Sequence, residues 1–65
     1  MATKLHEWRE RRGVTQAELA DKSGVPLRSL QNYEQGKNPI NGAAAIQVYK
    51  IAKALRVAVE DLLEI

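Results

Sequence analysis

The sequence predicts an all-α fold of five helices in one domain, residues 1–65, with no strand. Three observations predict it. Apolar residues recur at helical spacing, most clearly at Ala44, Val48, Ile51, Ala52 and Leu55. Glycines stand where the helical patterns stop, at Gly13, Gly24 and Gly36. Thr15-Gln16-Ala17-Glu18 has the composition of a capping box. A chain of 65 residues buries only about 60% of its unfolded surface, so the core must be small. With no cysteine, neither a disulfide nor a thiolate metal site supplements it.

The first predicted helix runs from Lys4 to Arg12, behind Thr3 as N-cap, with Leu5, Trp8 and Arg12 at helical spacing. Gly13, which tolerates positive φ, ends it. The second starts in the capping box, where the Thr15 hydroxyl takes a free N–H and Glu18 reaches back. It turns Leu19 and Ala20 inward and ends at Gly24. The third spans Pro26 to Gln35, since proline in a first turn loses no hydrogen bond, and Gly36 closes it. Residues 37–42 form a loop in which Asn41 is predicted to cap the fourth helix. A last helix, Val59 to Glu64, presents Val59, Leu62 and Leu63, with Glu60 and Asp61 near the positive end of its dipole.

Ala20, Gly24 and Leu30, four and six residues apart, meet the needs of a helix-turn-helix. These are a small residue at the helix crossing, a turn residue able to go left-handed, and an apolar anchor in the second helix. At about 100° per residue, Pro26, Leu27, Tyr33 and Glu34 fall within about 60° of Leu30. Arg28 and Asn32 lie about 160° away and share the exposed face. Arginine donates bidentately to guanine and asparagine pairs with adenine, so both suit base edges in a major groove. Gln31 flanks them, within reach of a base or a backbone. Each of these residues singly also fits a solvated helix face.

Charge totals do not decide the partner, because ten basic and eight acidic residues give only +2. The excess lies in the first half. Through Lys37 there are seven basic and five acidic residues, and three of each follow.

Val14-Thr15-Gln16-Ala17-Glu18-Leu19-Ala20, Ser23-Gly24-Val25, Tyr33-Glu34-Gln35-Gly36-Lys37 and Lys50-Ile51-Ala52-Lys53-Ala54-Leu55 together resemble the lambda-repressor-like, Cro-type helix-turn-helix regulators of the XRE family. The resemblance covers nearly the whole chain and implies a compact five-helix lambda-repressor-like bundle. It also implies that Gln16 and Lys37 bind phosphates and that Leu27, Arg28 and Asn32 face bases. Arg9 and Glu34 are implied to form a structural ion pair between the first and third helices. Pro26 replaces the family's usual capping Ser or Thr, and Leu27 offers only apolar contact, as with a thymine methyl. Ala58 stands in place of a hydroxyl cap. The loop before Ile51 is about four residues longer than usual, enough for roughly one turn around Ala43 to Ile46.

Nothing points to catalysis. His6 is the only histidine and reads as a surface residue, and there is no glycine-rich phosphate loop and no metal-ligand spacing. No cofactor or metal is expected. Trp8 and the two tyrosines read as packing residues rather than a stacking platform for single strands. No apolar run approaches the ~18 residues of a membrane span, and no signal-peptide core is present, so a cytoplasmic protein of bacterial or phage origin is expected.

The expected partner is double-stranded DNA. One helix reads few bases, so a homodimer on an inverted repeat is expected, with half-sites about 10 base pairs apart. Val59, Leu62, Leu63 and Ile65 are the expected dimer contacts, because a short last helix cannot bury all of them on its own domain. The alternative is an antitoxin-like or bridging protein-interaction module of the same fold, using the fourth and fifth helices on a protein partner.

Overall fold

Each helix of the structure, a computed structural model describing residues 3–64, starts or stops where unpaired backbone groups find a partner. The α-helices are α1, Lys4–Arg11; α2, Gln16–Ser23; α3, Leu27–Gln35; and α4, Ala45–Leu55. Single 3₁₀ turns occupy Ile40–Gly42 and Val59–Asp61, and no strand occurs among the described residues. The Thr3 hydroxyl accepts from the His6 N–H at 3.2 Å, capping α1. Thr15 Oγ1 accepts from the Glu18 N–H at 3.1 Å while Glu18 Oε1 accepts from the Thr15 N–H at 2.8 Å, completing the capping box of α2. Pro26 precedes α3 without a side-chain cap.

The count of five helices is corrected to four. The segment expected to form the fifth, Val59 to Glu64, makes one 3₁₀ turn, Val59–Asp61. So short a piece closes too few hydrogen bonds to offset helix nucleation, and tertiary contacts take over instead. Ala58 offers no cap acceptor, but its N–H donates to Asp61 Oδ2 at 3.0 Å. Beyond the turn, the Glu64 N–H donates to Asn41 Oδ1 at 2.8 Å and Asn41 Nδ2 donates to the Glu64 carbonyl at 3.1 Å. Asn41 is therefore not the cap of α4. Ala44 holds that position without a side-chain hydrogen bond, and it is exposed rather than on the buried face. The extra turn expected around Ala43 to Ile46 lies earlier, at Ile40–Gly42, with Ala43 and Ala44 extended between that turn and the helix.

One core joins all four helices through Leu5 of α1, Leu19 of α2, Leu30 and Tyr33 of α3, and Val48, Ile51, Ala52 and Leu55 of α4. Val25, Ile40 and Leu62 fill it from the connections. Each fully buried leucine contributes about 1.5–3 kcal/mol of transfer free energy. Arg12 Nε donates to the Leu55 carbonyl at 2.8 Å, binding the end of α1 to unpaired groups at the end of α4. Glu64 Oε2 accepts the Lys4 N–H at 2.7 Å, a negative charge at the positive end of α1.

Candidate nucleic-acid interface

The helix-turn-helix is built around Gly24, whose φ of 75° turns the chain out of α2. Only glycine takes this left-handed conformation without steric penalty. The Val25 N–H then donates to the buried Ser23 Oγ at 3.2 Å, and Val25 enters the core. Ala20 packs against the core from the end of α2, and Leu30 is fully buried. Leu30 and Tyr33 fix which side of α3 faces inward. Tyr33 OH donates to Gln47 Oε1 at 2.7 Å, which ties α3 to the first turn of α4.

With that face fixed, Arg28 is exposed and Asn32 and Gln31 are half-buried on α3. Leu27, placed near the anchor by helical angle, is 40% exposed. It is the first residue of α3, and side chains there lean beyond the helix end rather than over a preceding turn. An apolar side chain thus stands beside Arg28 at the leading end of α3. Gln16 is half-buried as the first residue of α2. Lys37 is exposed just after α3, its N–H donating to the Asn32 carbonyl at 3.0 Å.

Behind this surface, Arg9 Nε donates to Glu34 Oε2 at 2.8 Å and Arg9 Nη1 donates to the Val14 carbonyl at 2.8 Å. Burial pushes the Glu34 carboxyl up. The hydrogen bonds from Arg9 and His6, the Arg9 charge and the Gln16 amide outweigh burial and hold it below the ordinary carboxylate range. His6, expected as a simple surface residue, joins this cluster with Nδ1 2.9 Å from Glu34 Oε1. The spacing to Arg9 and Glu10 was visible in the sequence, but the Glu34 contact spans 28 residues.

Among the expected dimer residues, Leu62 is corrected. It is 0% exposed inside its own core, because the chain bends after the 3₁₀ turn and drives it inward. Val59 and Leu63 are only partly buried. With Ile40, Val48 and Tyr49 they line an apolar groove of about 410 Å³. Ile46 stands exposed in the first turn of α4. Ile65 lies outside the described residues. Among the described residues, no helix is long and apolar enough to cross a membrane and no side-chain cluster could hold a metal ion.

The helix-turn-helix family model matches residues 5–62, from the second residue of α1 to the buried Leu62. A relative described as an uncharacterized helix-turn-helix-type transcriptional regulator of Archaeoglobus fulgidus is 41% identical over 63 residues, covering 95% of this chain and 84% of the relative. No solved structure matches at a significant level. The family is one of DNA-binding regulators and not of enzymes. The match therefore spans every element that builds the turn and its supporting core, and the chain belongs to the lambda-repressor-like, XRE-type helix-turn-helix family.

Proposed function

We propose that the chain is a sequence-specific, double-stranded DNA-binding transcriptional regulator that lays α3 in the major groove. The observation that carries this reading is the packing of Leu30 and Tyr33, which leaves Leu27, Arg28 and Asn32 accessible after the Gly24 turn. In this reading Arg28 and Asn32 read base edges and Leu27 meets a thymine methyl. Gln16, Lys37 and Gln31 hold the backbone and set register and affinity. The relative named as a transcriptional regulator supports the same role.

Two or three base-reading side chains discriminate weakly against a genome of competing sites, so we assign a two-fold dimer on an inverted repeat. The groove beside Val59 and Leu63 is its proposed contact surface. Exposed Tyr49 in the lining of this groove favours a protein contact there, and the second reading, a protein-interaction module, uses the same surface. The proposed place of action is the cytoplasm of a bacterial or phage-infected cell, with no cofactor.

Selection of bound sequences from a random duplex pool tests the proposal. A recovered inverted repeat with half-sites about 10 base pairs apart is the expected result. Absence of any preferred sequence, with salt-independent binding to a protein partner, would transfer the function to the second reading.

A further inference from the structure

Two cations at the end of α1 share one aromatic ring. The Arg11 and Arg12 guanidinium carbons lie 5.0 and 5.2 Å from the centre of the Trp8 ring, close enough for cation–π contacts. Arg12 is held further, because Nε donates to the Leu55 carbonyl at 2.8 Å and Nη2 to the Arg56 carbonyl at 3.3 Å. These bonds bring Arg56, the exposed C-cap of α4, to the same corner. Among the described residues, no carboxylate pairs with any of the three arginines. Glu7 stands one turn before Arg11, a spacing that suits an ion pair on a helix, yet the Arg11 guanidinium lies over Trp8 instead. Glu10 is turned to His6, at 3.3 Å. Stacking on a ring leaves the N–H edges of a guanidinium open, and two of these groups are already set in position, so docking needs little further ordering.

At about 100° per residue, Trp8 and Arg11 lie about 160° around α1 from His6 and Arg9 respectively. His6 and Arg9 face Glu34 of α3, so the arginine corner occupies the flank of α1 turned away from the DNA-reading helix. It also sits at the far end of α4, where Leu55 is about 12 Å along the helix from Gln47, the residue bound by Tyr33 of α3. None of its residues lines the apolar groove beside Val59 and Leu63. We propose that Arg11, Arg56 and the ring-stacked Arg12 form a docking surface for an acidic segment of a partner protein, engaged while α3 lies on DNA. Carboxylates match it, because a guanidinium takes one through two parallel N–H bonds. Duplex phosphates carry the same charge but meet the domain on the α3 side. Docking stands independently of the function proposed above, and only its coexistence with bound duplex rests on that reading.

Trp8 is the only tryptophan, so its fluorescence reports the corner directly. The test titrates the protein at low salt with an oligo-glutamate peptide, with oligo-glutamine as the uncharged control. Wild type is compared with the double variant Arg11→Gln with Arg56→Gly, whose folding is checked by its thermal midpoint. Arg12 stays in place because it ties α1 to α4. The expected result is a saturable Trp8 signal with oligo-glutamate and none with oligo-glutamine, weakened by added salt. The double variant should bind the acidic peptide about five- to tenfold more weakly, with its affinity for a selected duplex unchanged. Equal binding of the two peptides, or undiminished binding by the double variant, would overturn the proposal. So would a loss of duplex affinity in the double variant, which would assign the corner to DNA phosphates. If the double variant does not fold, Arg56→Gly takes its place, since it removes a cation while relieving a positive φ of 59°. It should weaken peptide binding about two- to threefold, with unchanged binding counting against the docking surface. Peptide binding, measured without DNA, decides the corner separately from any failure to bind duplex.

Discussion

Arg9 Nε donates to Glu34 Oε2 at 2.8 Å across a separation of 25 residues, with the two side chains only 14% and 3% exposed. This buried charge pair joins α1 to the end of α3. Removing one partner would leave the other charge without compensation in a dry site, so Arg9→Ala should destabilise the fold by about 3 kcal/mol. The double replacement Arg9→Met with Glu34→Leu should cost less than either single change. Denaturant unfolding of Arg9→Ala, of Arg9→Met and Glu34→Leu singly, and of the double replacement checks this, and additive costs would contradict it.

Glu34 should also contribute to the acid limb of stability. Its folded carboxyl titrates below the ordinary glutamate value of about 4.3. The stabilisation is therefore fully present above that value and is lost as pH falls through the lower, folded one. Glu34→Gln should flatten the decline of thermal midpoint on the acid side. A decline as steep as that of wild type would assign acid unfolding to other carboxylates.

Base-reading and backbone-holding residues should separate cleanly in binding assays. Arg28→Ala should cost about 1–3 kcal/mol and relax preference at one base pair, with Asn32→Ala acting at a neighbouring one. Gln16→Ala and Lys37→Ala should weaken all sequences alike. Of these two, only the Lys37 change should reduce the salt slope, by about one. Competition assays against mismatched duplexes at several salt concentrations distinguish the two classes.

Arg56 is the one non-glycine residue with positive φ among those described, at 59° after α4. A side chain there meets the steric cost of the left-handed region, about 1–2 kcal/mol, against a glycine entropy penalty of about 0.5–1 kcal/mol. Only its backbone carbonyl is used by Arg12. Arg56→Gly should therefore raise stability by about 0.5 kcal/mol, read as a higher unfolding midpoint.

Neighbouring leucines should respond differently. Leu62→Ala opens a cavity in the core and should destabilise by about 2–5 kcal/mol. Leu63→Glu alters the groove rim, so it should leave the monomer folded and weaken assembly on an inverted repeat. Sedimentation with duplex DNA checks the second outcome, and an unchanged two-to-one complex would move the contact elsewhere.

The sequence by itself determined the helix starts at Thr3 and Thr15, the turn at Gly24, the anchor at Leu30 and the exposure of Arg28. Caps, left-handed glycines and helical periodicity depend on residues within about four positions of one another, so their outcome is written locally. The tertiary structure decided where Leu62 points, what His6 faces and what Asn41 binds. Asn41 could have capped a helix, but its amide pairs with Glu64 23 residues away. Val59 to Glu64 could have coiled as a helix, yet the core takes Leu62 first. For a segment that short, nucleation is unfavourable and a few distant contacts outweigh local preference.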